Sequence, residues 1–402
     1  MAHTLARVHQ QDYDTAEYPR FQQPWWEHLP EDFYRYPDAF AMPAALRRKV
    51  GFTVALDQLT RTGLASLVAA ASSPAMLLGN SLQEDLRQQD FYESLLASGD
   101  RYQFFREPQP VSHFRESPVR RYHFHPSDGE NVTVRFESPF QTVNPALRER
   151  YAAHRENATA WAQHWRHHDG PRPTLVVVHG FVADPYWLNA RFLALPWFYK
   201  QGFDVLLYTM PFHGRRKSRL SPFSGAEFFA GGVSHINEAF AQTIHDLRIY
   251  LRYLRQRGVD RIGATGISLG GYTTGLLAAI DDQLSFAIPN VPVTSLFDLV
   301  PGWFPLSAEV RLLMRRAGIS LKDLRHATAV HSPLTWSCQL ARDRRLIIGG
   351  VGDRFAPPKQ AWMLWKHWEE CGLHWFPGNH LLHLDQGRYL REMSQFMRAS
   401  GF

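Results

Sequence analysis

The stretch GATGISLGGYTTG, residues 263–275, sets Ser268 between Gly266 and Gly270, with a third glycine at 271. The residues before it, VDRIGATGI, read as a strand, and those after it, GYTTGLLAAID, as a helix. A serine at such a corner is either a turn residue or a nucleophile lifted out of the backbone. A serine hydroxyl attacks poorly at neutral pH, so the second reading requires a nearby imidazole to take its proton. Downstream, Asp353 stands in GVGDRFAPP and His380 in FPGNHLLHL. Serine, aspartate and histidine thus occur in that order, each just beyond the end of a different apolar run.

Those runs belong to a regular alternation. TLVVV (174–178) and FDVLLY (203–208) are short continuous apolar segments, the pattern of strands buried on both faces. Further strands are expected at 261–267, 284–289, 344–350 and 372–376, with helices at about 186–200, 234–257, 270–281, 358–370 and 384–398. Such alternation implies a mostly parallel sheet with helices on both faces, and ligands of these sheets bind at the carboxyl ends of the strands. His179, Phe181, the segment TMPFHGRRK, Ser268, Asn290, Asp353 and His380 all fall there. Upstream, the Asp-Gly turn in SDGEN, between VRRYHFHP and VTVRFESPF, predicts two antiparallel strands. Residues 144–168 read as a polar helix. Residues 1–118 are rich in aromatics and proline, with helical patterns to about residue 98, and are expected to form an N-terminal extension that caps the main domain at 119–402. The irregular segment at about 293–340 is expected to be a lid insertion.

Composition bounds the function. With 402 residues and 45% hydrophobic content, the chain can bury a large core. Charged residues make up 20% without a long single-sign run, which excludes wholesale disorder. The net charge of +6 is spread along the chain and accompanies no recognition motif, so no nucleic-acid partner is expected. Cys338 and Cys371 form neither a metal-type spacing nor a disulfide framework, which favours a reducing, cytoplasmic setting. The start, MAHTLARVHQQDYD, lacks the apolar core of a secretory signal, so the sequons at Asn131 and Asn157 read as chance. Residues 62–83 carry no charge but include Pro74, Gly79 and Asn80, which favours a buried or surface-resting helix pair over a transmembrane span. His164, His167 and His168 suggest a metal site but read better as a solvated helix end. Arg215, Arg216 and Lys217 read as an exposed loop, with capture of an acidic substrate group as the alternative.

The sequence resembles the α/β-hydrolases over roughly residues 119–400. GISLG matches that family's nucleophile elbow, G-x-S-x-G, in the strand–turn–helix context it requires. The order Ser268, Asp353, His380 matches as well, as does the HGF segment after the first buried strand. The resemblance implies a Ser-His-Asp triad, with the backbone N–H groups of Leu269 and Phe181 as the oxyanion hole. His179 would then shape the oxyanion loop. Asp298 is the rival acid and His383 the rival base; a helix cap is the structural alternative for Asp353. Trp303 and Phe304 stand equally as acyl-pocket lining or lid core.

The resemblance further implies a serine hydrolase that cleaves a small-molecule carboxylic ester through an acyl-enzyme, with no cofactor and no metal. An acyltransferase would use the same triad, and a non-catalytic binding protein could retain the fold. Epoxide and haloalkane hydrolysis are disfavoured, because those relatives need an aspartate where Ser268 stands. An oligopeptidase is disfavoured because 118 leading residues cannot build a propeller.

Overall fold

The computed structural model describes residues 18–38, 40, 44–78, 85, 87–182 and 184–402. Two longer helices precede the sheet, α1 (Ala44–Leu78) and α2 (Gln89–Ala97), with single turns at Trp25–His28 and Arg101–Phe104. Nine strands then form one sheet: β1 (Arg115–Pro118), β2 (Gly129–Glu137), β3 (Thr159–His167), β4 (Thr174–Val178), β5 (Asp204–Thr209), β6 (Ile262–Ile267), β7 (Phe286–Asn290), β8 (Leu346–Gly350) and β9 (Gly372–Phe376). Their spatial order is β1-β2-β3-β5-β4-β6-β7-β8-β9. Pairings up to β3–β5 are antiparallel, and all later ones are parallel.

Strands β4 to β8 are buried at every residue, which is why they appear in the sequence as unbroken apolar runs. Alternate side chains serve opposite faces. Val176 and Val178 of β4 pack into a cluster with α3 (Val233–Gln256), α4 (Leu269–Ile280) and α7 (Pro358–His367), while α5 (Leu306–Ala317) and α6 (Leu321–Ala327) lie in the long connection between β7 and β8. Leu175 and Val177 pack on the other side against the helices at 186–200 and α8 (Gln386–Ala399). The expected mostly parallel sheet with helices on both faces is therefore observed, with the N-terminal helices beside it. No helix among the described residues is long and apolar enough to cross a membrane.

The N-terminal segment is tied to this body by buried polar bonds. The Tyr92 hydroxyl of α2 donates to Glu238 of α3 at 2.7 Å, and the same carboxylate accepts the Val143 and Asn144 N–H groups at 2.7 and 2.8 Å. Arg325 of α6 donates to the carbonyls of Leu29 (2.6 Å) and Pro30 (2.9 Å) while holding Asp298.

Several local expectations fail for identifiable reasons. Residues 144–168 are not one helix: a short helix at Arg148–Ala152 is followed by β3. Strand β3 hides its alternation because Gln163, His164 and His167 are polar yet buried, each with a partner. His167 meets Asp204 at 2.7 Å, and His164 meets the Tyr253 hydroxyl at 3.2 Å, so these two histidines are not a solvated helix end. Two antiparallel strands form around SDGEN, but the first ends well before the Asp-Gly pair and the tight turn is absent. The partner of β2 lies upstream at β1, with Pro118 opposite Val132, and residues 119–128 form the connection. Gly129 is required instead because a Cβ there would strike the Arg166 carbonyl across β3. The helix expected at 186–200 breaks at Ala194, whose φ is 51°. In place of a helix pair at 62–83, α1 runs unbroken to Leu78, and residues 79–83 lie outside those described.

The basic segment 215–217 is also not simply an exposed loop. Arg216 is fully buried and donates to Asp246 at 2.8 Å, to the Asn157 carbonyl at 2.9 Å and to the Tyr208 hydroxyl at 3.2 Å. Breaking a buried pair leaves one charge uncompensated, whereas replacing both partners by apolar groups does not. Asp246→Asn is therefore expected to lower stability by about 3–5 kcal/mol in urea unfolding, and the double variant Arg216→Met/Asp246→Leu by clearly less. Equal losses in the two proteins would contradict this account.

Candidate active site

Ser268 is the single residue between β6 and α4, with φ 58° and ψ −114°. A non-glycine residue in this region carries strain of about 1–3 kcal/mol and persists only where its surroundings over-determine it. Here the Ser268 N–H donates to the Asn290 carbonyl at 3.0 Å, and the Ser268 carbonyl accepts from Tyr272 N (3.0 Å) and Val293 N (3.3 Å). Glycine is needed on either side. A Cβ at Gly266 would collide with the Gly270 carbonyl, and a Cβ at Gly270 with the Val178 carbonyl. The Leu269 N–H opens the first turn of α4, where helix geometry provides no intrahelical partner and the dipole is positive.

The segment after β4 runs beside the serine: a Cβ built on Gly180 would lie 3.5 Å from that of Ser268. His179 holds this segment. Its Nε2 accepts the Met210 N–H at 3.1 Å, so Nδ1 carries the proton and donates to the Gly180 carbonyl at 2.8 Å. Complete burial lowers the His179 pKa, which keeps the ring neutral in that role.

Asp353 and His380 meet beyond β8 and β9. Asp353 Oδ1 accepts the N–H groups of Phe355 and Ala356, both at 2.8 Å, and Oδ2 accepts from His380 Nδ1 at 2.6 Å. The Phe355 ring stacks on the imidazole at 5.1 Å. The Nδ1 bond leaves Nε2 as the free position of the ring. Burial opposes a charged His380, yet the Asp353 carboxylate beside it, helped by Asp57, holds its pKa above the ordinary value.

A further carboxylate, Asp57, joins this group without a local motif to mark it. It lies on α1, fully buried, and its Oδ2 accepts the N–H of Arg354 at 2.9 Å and of His380 at 3.2 Å. The same helix accepts the Asn379 side-chain amide on the Thr53 carbonyl at 2.6 Å. The loops bearing the aspartate and the histidine are therefore both fastened to the N-terminal helix. Asp57 Oδ1 has no hydrogen-bond partner among the described residues. Burial first, and the Asp353 charge second, push the Asp57 pKa up to about 6. A sequence signal existed: Asp57 is the sole acidic residue in the 35-residue α1.

The rivals are engaged elsewhere. Asp298 is paired with Arg325 at 2.5 Å, both fully buried. His383 packs on Phe376 at 4.0 Å between ring centres, and burial, then the neighbouring His380, pushes its pKa down to about 3. Of the two equal alternatives at 303–304, Trp303 lines the cavity while Phe304 is exposed.

Ser268, Leu269, Gly180, Phe181 and His380 border one cavity of about 530 Å³. No hydrogen bond joins Ser268 to His380 among the described residues; the two share the cavity wall. Its remaining walls are largely apolar. They come chiefly from α1 (Thr60, Leu64, Val68), from segment 293–340 (Leu296, Trp303, Val310), from the helix at 186–192 and from the region around Phe229. Among the described residues no group of three or more His, Cys, Asp and Glu side chains is arranged to hold a metal.

Uncharacterized proteins from two strains of Mycobacterium tuberculosis are each 31% identical to this chain over 292 residues, which span 69% of this chain and 65% of theirs. No family model matches. Among solved structures, acetyl xylan esterase 1 of Thermoanaerobacterium sp. JW/SL YS485 superposes with a TM-score of 0.54 at 15% identity, over 78% of this chain and 93% of that one. An acetyl xylan esterase of Paenibacillus sp. R4 gives 0.53 at 15% identity, over the same shares. At that identity the likeness is one of fold.

Asp57 supplies a pH signature. Its raised pKa means that the folded state takes up this proton before the unfolded chain does. The resulting stabilisation is complete below the ordinary carboxylate pKa of 3.8 and is lost as pH rises through about 6. Asp57→Asn is expected to flatten the stability–pH curve across that window, measured by urea unfolding at a series of pH values. It should also lower the His380 pKa in an NMR titration of the ring. An unchanged curve and an unchanged titration would exclude the coupling.

Proposed function

The chain has the α/β-hydrolase fold, and on that premise we propose that it is a serine hydrolase of carboxylic esters. The observation that carries this reading is one arrangement. A strained serine at φ 58° opens onto the same apolar cavity as a histidine whose Nδ1 lies 2.6 Å from a buried aspartate. In the proposed reaction Ser268 Oγ attacks the ester carbonyl carbon while its proton passes to His380 Nε2. Asp353 orients the imidazole and stabilises the imidazolium. The N–H groups of Leu269 and Phe181 receive the oxyanion. Collapse of the tetrahedral intermediate expels the alcohol, which takes the proton from His380. Water then attacks the acyl-enzyme with the same base, and release of the carboxylic acid regenerates Ser268. The solved esterases of like fold are consistent with this chemistry. The largely apolar cavity supports an apolar acyl group.

We assign capping of this site to residues 1–118 and segment 293–340. The assignment is supported by the shared lining of the cavity by α1 and by Leu296, Trp303 and Val310.

A fluorophosphonate probe is expected to label Ser268. p-Nitrophenyl esters of increasing chain length should be turned over, and Ser268→Ala should lose turnover by a factor on the order of 10⁶, as in a serine protease whose nucleophile is removed. An added primary alcohol separates hydrolysis from acyl transfer. His380→Ala should abolish turnover, with folding checked by circular dichroism. Labelling elsewhere, or near-normal turnover in a folded His380→Ala protein, would refute the assignment.

A further inference from the structure

Helix α1 has two faces with different surroundings. One packs inward through Val50, Thr53, Asp57, Ala65 and Ala69, all buried. The other is exposed, with an apolar central arc bordered on one side by Ala55, Thr62 and Ser66. Phe52 is 73% exposed, Leu56 36%, Leu59 73% and Leu67 47%. At the α-helical period these four fall within about 80° of the helix circumference. From Gly51 to Ala70 the exposed residues carry no charge, since the two ionisable side chains in that stretch, Asp57 and Arg61, are buried and half-buried. Just before it come Arg48 and Lys49, both exposed and on the two flanks of the stripe at the same period.

A contiguous apolar stripe of this kind is unusual on a surface that meets only water. Its neighbour in the fold is the cavity. Thr60, Leu64 and Val68, which line the cavity, occupy the arc of α1 next to the stripe. Other exposed apolar residues stand beside cavity residues in sequence: Phe304 beside Trp303, and Leu382 beside Leu381. The stripe thus adjoins the rim of the cavity that contains Ser268.

We propose that α1 rests on an anionic lipid bilayer, with Phe52, Leu56, Leu59 and Leu67 in the acyl boundary and Arg48 and Lys49 against the headgroups. An uncharged stripe flanked by basic residues has the charge and hydropathy of an interfacial helix. The stripe extends over about four helical turns, which keeps the helix axis in the membrane plane, and the cavity edge then opens toward the lipid. Apolar esters dissolved in the bilayer reach the cavity along α1 without crossing water. This last step rests on the proposed ester hydrolysis; the docking itself does not.

The test uses the full chain with vesicles of phosphatidylcholine, alone or mixed with phosphatidylglycerol, in a flotation assay. The wild type is expected to bind the mixed vesicles, with binding reduced by added salt. Phe52→Glu/Leu59→Glu should lower partitioning by about tenfold or more, while Arg48→Gln and Lys49→Gln should each lower it about fivefold on the mixed vesicles. These side chains are exposed, so circular dichroism and melting temperature should be unchanged. Failure of the wild type to bind, or equal binding by Phe52→Glu/Leu59→Glu, overturns the proposal. A wild type that is dimeric by sedimentation, does not bind vesicles and becomes monomeric in the same variant assigns the stripe to a second copy and also overturns it. Turnover of a short soluble p-nitrophenyl ester should be equal in wild type and variants. Its absence in all of them would defeat the reading of the site while leaving vesicle binding to decide the docking.

Discussion

The turn from β6 into α4 is the constraint that the rest of the arrangement answers to. One residue, Ser268, makes the reversal at φ 58°, so the strand and the helix lie closer together than side chains allow. Gly266 and Gly270 remove the two Cβ atoms that would collide with main-chain carbonyls. The packing of β4 on α4 follows, because Gly270 lies directly on the Val178 carbonyl. So does the position of the segment that begins with His179. The helix N-terminus, the Gly180–Phe181 backbone and the serine side chain are brought together by this one reversal, on the carboxyl edge of a sheet whose strands are buried on both faces.

Opposite the serine, the structure gathers negative charge. Two carboxylates, Asp353 and Asp57, approach the backbone and ring of His380, and both are buried. Their joint effect raises the imidazole pKa despite its burial, while the Asp353 charge helps to raise the pKa of Asp57. The second carboxylate comes from a helix outside the sheet. The geometry of the His380 loop is therefore not a property of the parallel sheet alone; removing α1 would strip the His380 and Arg354 N–H groups of their acceptor.

The same helix gives the N-terminal segment a physical logic. Its inward face fastens the aspartate and histidine loops, its intermediate arc walls the cavity, and its outward arc is apolar and uncharged. A helix that served only as a cover would present polar residues to water. The buried polar ties of Tyr92 to Glu238 and of Arg325 to the Leu29 and Pro30 carbonyls hold the N-terminal segment to the body, alongside apolar contacts of Trp25, Phe33, Val50 and Phe104 with the main core.

What the sequence determined by itself was whatever depends on local pattern. Continuous apolar runs marked β4 and β5, helical spacing marked α3, and the glycines around Ser268 marked the elbow, because each is dictated by burial or sterics within a few residues. Ser268, Asp353 and His380 could be picked out because each directly follows a strand that is itself legible. Tertiary structure alone decided the rest. Strand β3 reads as helix because its buried polar residues find partners at His123, on β5 and on α3, distant in sequence. Gly129 reads as a turn because the Arg166 carbonyl that excludes its Cβ lies on another strand. Arg216 reads as solvent-facing because Asp246, which neutralises it, lies 30 residues on in α3. Asp57 is invisible as part of the site because its role consists of two backbone N–H groups 297 and 323 positions later. In each case the energy that settles the residue's environment belongs to a contact between distant parts of the chain, which no local period or composition encodes.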